Sequence, residues 1–339
     1  MANTKKTKVV GDNGLTFTAE AKNSTVTLDI INDTEMLNLE YQIVTKYMLK
    51  GDKVKWIPYH IGKTIFLENI GDGVKFRNVS NVSDTWKQDY NRYHQFCMTG
   101  KIKASGSIMY LFSKDGSRTT MPVRGCYSMF MDCTALTTAP ELPATTLNIE
   151  CYNSMFSGCK SLTRAPELPA GKLDSGCYSR MFSNCVSLVK PPILPATKLA
   201  EYCYYCMFDC CTLLDSAPEL PATKLSQFCY AFMFNGCESL VSAPTLPATE
   251  LYRNCYYCMF RKCSSLRDAP ELPATKLASE CYGYMFAYCT NLKVQTDGGN
   301  VFLRTPSKAL SYPLVGMFNK TGGIFTGDAQ PNSVYGWYR

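Results

Sequence analysis

The chain has 339 residues with 46% hydrophobic content, enough for a substantial core and for two or three domains, which excludes a disordered protein. Its formal charge of +7 is a mild excess of 35 basic over 28 acidic residues, spread along the chain, so nucleic-acid binding is not expected. No stretch approaches the roughly 18 apolar residues of a membrane span, and no apolar segment follows the basic residues of MANTKKTKVVGDNG, so neither membrane insertion nor a secretory signal is expected.

Residues 1–80 read as a β-sandwich-like N-terminal domain. LTFTAEAKNSTVTLDII alternates β-branched residues, LNLEYQIV follows, and VKWIPYHIGKTIFLENIGDGVKFRN alternates between turns that carry glycine, the pattern of half-buried strands. Residues 81–125 are less regular, with aromatic residues at Trp86, Tyr90, Tyr93 and Phe96 and the apolar run SIMYLF. This segment is expected to connect the domain to a repeat array that begins at residue 126 and to cap that array, because a bare repeat end leaves unpaired edges.

From residue 126 to 292 one 26-residue unit is completed six times and begun a seventh. Met129, Met155, Met181, Met207, Met233, Met259 and Met285 are each 26 apart, as are Cys133, Cys159, Cys185, Cys211, Cys237, Cys263 and Cys289. A fixed period of this size is the mark of a solenoid, whose units bury their apolar faces only by stacking. Within a unit, Leu147, Cys151, Met155 and Cys159 are spaced by four beside Tyr152 and Phe156, which predicts a short helix with one apolar face. Thr145, Thr197, Thr223, Thr249 and Thr275 stand where N-caps would. The other half, SLTRAPELPA, predicts a short strand cut by its prolines. The expected fold is therefore an α/β solenoid, a leucine-rich-repeat-like array of 26-residue coils, each a short strand plus a short helix, behind a β-rich N-terminal domain. Residues 293–339 leave the pattern and are expected to form the C-terminal cap, with Met317 and Phe318 echoing the Met-Phe of the repeat.

Most of the 18 cysteines fall into two columns, one led by Cys126 and continued by Cys151, Cys177, Cys203, Cys229, Cys255 and Cys281, the other led by Cys133. Stacking sets the members of a column parallel and about 4.8 Å apart, whereas a disulfide needs converging side chains, so buried thiols are expected. The sequence CYYC, at Cys203–Cys206 and Cys255–Cys258, is half of a zinc site. Its first cysteine is already a column member, however, so no metal is expected. His60 and His94 are the only histidines, and without a nucleophile motif or a phosphate loop they are read as structural. No cofactor and no enzymatic activity are expected. The Met column, beside Phe at a spacing of four, is read as core.

Two neighbouring columns vary, and both are rich in aromatic residues. One reads Asn153, Ser179, Tyr205, Ala231, Tyr257, Gly283 and the next Ser154, Arg180, Cys206, Phe232, Cys258, Tyr284. With Tyr202, Phe228 and Tyr252 nearby, the candidate binding residues are Tyr202, Tyr205, Phe228, Phe232, Tyr252, Tyr257 and Tyr284, either as a contact stripe or as packing between coils.

The unit CYxxMFxxCxSLxxAPELPATxL resembles the BspA-like leucine-rich repeats of Bacteroides and of the tailed phages that infect them. KWIPYHIGKTIFLENIGDGVKFRN followed by FCMTGKIKASGSIMYLF is similar to the β-module that often precedes such repeats. The resemblance implies an extracellular recognition surface, and the expected lack of an export signal turns the expectation toward the virion as its location. The expected role is a phage virion structural protein, a tail or head fibre or decoration, displaying the solenoid. Bacterial members are usually exported, which leaves a cell-surface adhesin as the alternative. Implied partners are other virion proteins or a host-surface glycan or protein, with homo-oligomerisation left open.

Overall fold

A computed structural model describes residues 14–32, 37–45, 55–83, 88–292 and 315–321; Trp86 and most of the expected C-terminal cap lie outside these. The first strands are β1 (Leu15–Ala19), β2 (Ser24–Ile31), β3 (Leu39–Val44), β4 (Ile57–Pro58), β5 (Ile65–Leu67) and β6 (Gly73–Asn78). They are followed by β7 (Tyr93–Thr99), β8 (Ile102–Ser105), β9 (Thr120–Met121), β10 (Leu136–Thr138) and β11 (Thr146–Leu147). A six-stranded sheet runs β10-β8-β1-β6-β3-β4 and a three-stranded one β5-β2-β7. The alternation read in the sequence is the alternation of burial, as along β2, where Ser24, Val26 and Leu28 face inward. The two sheets meet across Phe17 and Phe76 of the first and Phe96 of the second, with ring centroids 4.8 and 5.7 Å from Phe96.

The solenoid grows out of this sandwich. Phe96 on β7 stacks on Phe130 of the first coil at 5.2 Å and 8°. The Phe96 amide donates to the Met129 carbonyl at 2.8 Å, and β10 of the first coil pairs parallel with β8. From Phe96 the ring stack continues through Phe130, Phe156, Phe182, Phe208, Phe234, Phe260 and Phe286 to Phe318, neighbouring centroids being 5.2–5.7 Å apart. Met317 and Phe318 therefore prolong the repeat, and the Phe286 amide donates to the Met317 carbonyl at 2.9 Å. A second stack of buried rings runs from Tyr152 through Tyr178, Tyr204, Tyr230 and Tyr256 to Tyr282 at 5.7–5.8 Å.

The expected helix is not there: the described residues contain one four-residue 3-10 helix, Ile108–Leu111, and no α-helix. The segment with the four-residue spacing is instead a chain of tight turns. Between Asn148 and Cys159, the amides of Cys151, Asn153, Met155, Ser157 and Cys159 each close a turn onto the carbonyl three residues back, at 3.1–3.3 Å. The intervening amides of Glu150, Tyr152, Ser154, Phe156 and Gly158 point along the solenoid and donate to Ser175, Cys177, Ser179, Met181 and Ser183 of the next coil, at 2.8–2.9 Å. This alternation needs a left-handed residue every fourth position, and Glu150, Ser154 and Gly158 have φ of 51°, 55° and 74°. A helix allows no such residue in its interior and bonds every amide within itself. Both structures return a side chain to the core every four residues, which is why Leu147, Cys151, Met155 and Cys159 are buried as expected.

With no helix to cap, the threonine column is exposed on the extended half of the coil, where the Thr223 and Thr275 amides donate to Thr197 and Thr249 of the preceding coil at 3.2 and 3.0 Å. That half is joined by isolated parallel bridges such as Arg164–Lys190 and Lys198–Lys224 rather than by long strands, because the prolines remove donors.

All eighteen cysteines are free and sixteen are buried. In the column led by Cys133 each thiol donates to a phenylalanine carbonyl of the layer before it, from Cys133 to Phe96 of β7 at 2.6 Å through to Cys289 to Phe260 at 2.9 Å. The other column needs one correction. The first coil is a residue shorter between Cys and Met, so Cys126 donates its amide to Cys151 as Tyr152 does to Cys177. Cys126 thus occupies the head of the tyrosine stack, and Tyr127 turns out against Tyr90 and Tyr93, both at 5.6 Å.

This core has two measurable consequences. Phe208→Ala opens the middle of the longest ring stack and should cost about 3–5 kcal/mol; an unchanged melting temperature would place that column outside the core. Burial pushes the thiols up, to about 12 at Cys229 and well above the usual value at Cys203 and Cys211. A weak acid whose folded pKa is raised stabilises the fold fully below its unfolded pKa and ceases to do so as pH rises past it. Half a unit above the ordinary thiol value of about 8.5, each ionising thiol favours the unfolded chain by roughly 0.8 kcal/mol. Sixteen buried thiols together then match the about 5–15 kcal/mol that holds an ordinary domain. Urea midpoints should ease down from pH 7 to 8, as stability falls by about 2 kcal/mol summed over the thiols, and fall steeply by pH 9, whereas level midpoints to pH 9.5 would mean exposed or oxidised cysteines.

Candidate functional site: an aromatic row on the turn face

The left-handed positions form three columns along one face of the solenoid, four residues apart within each coil. The first runs Arg124, Glu150, Gly176, Tyr202, Phe228, Asn254, Glu280; the second Ser128, Ser154, Arg180, Cys206, Phe232, Cys258, Tyr284; the third Asp132, Gly158, Asn184, Cys210, Gly236, Lys262, Tyr288. Gly, Asn, Asp and Ser suit this conformation, but a bulky ring does not, at a cost of about 1–2 kcal/mol per residue. Tyr202, Phe228, Phe232 and Tyr284 hold φ of 51–57° all the same.

These rings touch. Tyr202 stacks on Phe228 at 4.9 Å and meets Tyr205 edge-on at 5.8 Å. From Tyr205 the contacts pass to Phe232 at 5.8 Å, to Tyr257 at 5.4 Å and to Tyr284 at 5.9 Å, all near perpendicular. Six of the seven candidate residues therefore form one unbroken chain of rings across four coils. The row alternates between two adjacent columns, and wherever one column carries the ring the other is small: Cys206 beside Tyr205, Ala231 beside Phe232, Cys258 beside Tyr257, Gly283 beside Tyr284. The space is used, since a Cβ on Gly283 would stand 2.8 Å from Tyr257 Cδ2.

Tyr252 is the exception. It precedes Asn254, the member of the first column in its coil, by two residues; it is 44% exposed, and no ring contact joins it to the row among the described residues. Tyr202 is 40% exposed, and the other five rings are half-buried, so each is open to solvent over part of its surface while its remainder packs on a neighbour.

Sequence reading missed the cations beside the row and beside its neighbouring column. The Arg180 guanidinium lies 5.2 Å from the centre of the Tyr205 ring. In the third column, beside Tyr284, Arg261 and Lys320 approach the Tyr288 ring at 5.3 and 5.1 Å. Arg180 stands in the second column itself, and Tyr288 in the third, so the 26-residue register was the signal that could have found them.

The other candidate chemistries are dispersed. The second cysteines of the CYYC pairs, Cys206 and Cys258, are two coils apart, and among the described residues no three His, Cys, Asp or Glu side chains gather as a metal ion requires. His94 is buried on β7, and desolvation pushes it down to about 4, so its ring is neutral at pH 7. Near the first coil, Tyr90 donates to Glu150 Oε1, whose Oε2 takes the Arg124 Nε at 2.6 Å. This ties the segment before β7 to the first two coils. No described helix is long and apolar enough to cross a membrane. No family model, no curated protein and no solved structure matches the chain.

Proposed function

We propose that the chain is a non-enzymatic recognition protein whose solenoid presents the aromatic row to a partner at a bacterial surface. The observation that carries this reading is the row itself: six rings in contact, four of them in a left-handed backbone conformation that costs a bulky side chain and that no other described coil gives to a ring in these two columns. Strained residues persist where use maintains them, and rings that offer large area at small entropic cost are the usual anchors of interfaces. The solenoid stands on the sandwich through β7, β8 and β10, a layout suited to holding at one end and reading along the other. The resemblance of the repeat to BspA-like sequences adds the setting, a phage virion, with a bacterial cell-surface adhesin as the second reading.

The test is a double variant, Tyr205→Ala with Tyr257→Ala, in the full chain. Binding to intact Bacteroides cells should weaken by about 2 kcal/mol, roughly thirtyfold, with stability changed by no more than about 1 kcal/mol. A large loss of stability with binding intact would make the rings inter-coil packing and remove the row as a recognition surface.

A further inference from the structure

Resting on that reading, we infer that the partner of the row is an anionic glycan, a linear sugar chain with carboxylate or sulfate groups, lying along the solenoid axis. The geometry has three parts. Tyr205, Phe232, Tyr257 and Tyr284 supply one ring per coil, at centroid steps of 5.8, 5.4 and 5.9 Å. That step is about the length of one sugar unit in an extended chain, so successive sugars could set their C–H faces on successive rings without drifting out of register. An extended peptide repeats its side chains on one face every roughly 6.8 Å and loses register within four coils.

The second part is charge. Arg180 closes the row at one end, and Arg261 and Lys320 flank Tyr288, one column aside from Tyr284, near the other. None of the three is in an ion pair with a described carboxylate. A guanidinium held against a ring keeps its outer edge for a bidentate carboxylate or sulfate contact. The third part is what lies between. The coils that carry the rings also carry Glu201, Asp209, Glu238 and Glu280. A single-stranded nucleic acid, charged at every unit, requires a continuous basic groove, and these carboxylates would oppose it. Sparse cations and the apolar ring surface between them fit a polymer whose charges are sparse as well.

The experiment measures binding of the full chain to hyaluronate, unsulfated chondroitin and heparosan, each with one carboxylate per two sugars, with neutral dextran, polyglutamate and oligothymidylate as competing chemistries. At least one of the three anionic glycans should bind tenfold or more tightly than dextran, polyglutamate and oligothymidylate. Arg180→Gln combined with Lys320→Gln should reduce that binding about tenfold at an unchanged melting temperature, and Tyr205→Ala with Tyr257→Ala should reduce it further. Equal binding to dextran, equal or tighter binding to polyglutamate or oligothymidylate, or no binding to any of the three anionic glycans overturns the inference. If the tyrosine variant still loses its hold on cells while the glycans fail, the recognition reading stands and only the ligand class falls.

Discussion

The solenoid depends on one repeated contact, the amide that leaves its own turn and donates to the next coil. In each coil such amides alternate with those that close the turns, and the two sets together satisfy the backbone of the whole turn segment. Buried donors without partners would be expensive, so the left-handed residue at every fourth position is a condition of the fold. The columns result from it. Since the coils stack in register, phenylalanine meets phenylalanine within 10° of parallel and tyrosine meets tyrosine within 15°. Each thiol of the Cys133 column meets the carbonyl of a coil before it. The S–H donor accounts for cysteine here better than hydrophobicity alone, since an alanine would fill the place and leave that carbonyl one partner poorer.

A stack of identical units has no intrinsic beginning, and the N-terminal sandwich supplies one. Strand β7 belongs to the three-stranded sheet through β2, yet its Phe96 has the same relation to Phe130 as Phe130 has to Phe156. The Phe96 carbonyl accepts the Cys133 thiol as later carbonyls accept theirs. The sandwich and the solenoid therefore share one hydrophobic core, and the first coil is templated rather than capped by an unrelated surface. The shorter spacing of that coil, with Cys126 at the head of the tyrosine stack, lets Tyr127 pack on Tyr90 and Tyr93 of the preceding segment.

The period, the two buried faces and the burial of the cysteine columns were legible in the sequence because stacking makes them depend only on register. The helix was a misreading with a definite source: a spacing of four is common to a helical face and to a chain of four-residue turns. Asp132, Gly158, Asn184 and Gly236, each just before the buried cysteine, were the signal against it, since these residue types favour left-handed backbone and stop helices. The aromatic row was half legible. Its columns could be aligned by subtraction, but the zigzag that brings Tyr205, Phe232, Tyr257 and Tyr284 into contact depends on the small partners opposite each ring. Tyr252 was grouped with Tyr202 and Phe228 by proximity in the chain, although its place in the coil is that of Ala200 and Ser226.

The turn ladder can be tested through the sign of one substitution. Lys262 is exposed at φ 63° in the column where Gly158 and Gly236 stand naturally, and its amide bond to Ala287 at 2.8 Å needs no side chain. Glycine in a helix interior costs about 1 kcal/mol, whereas at a left-handed position it relieves about 1–2 kcal/mol of strain, less its own entropy cost of roughly 0.5–1 kcal/mol. Equilibrium denaturation of Lys262→Gly should therefore show a stability equal to or up to about 1 kcal/mol above that of the unaltered chain. A loss of about 1 kcal/mol or more would place Lys262 in a helix and contradict the ladder on which the whole account rests.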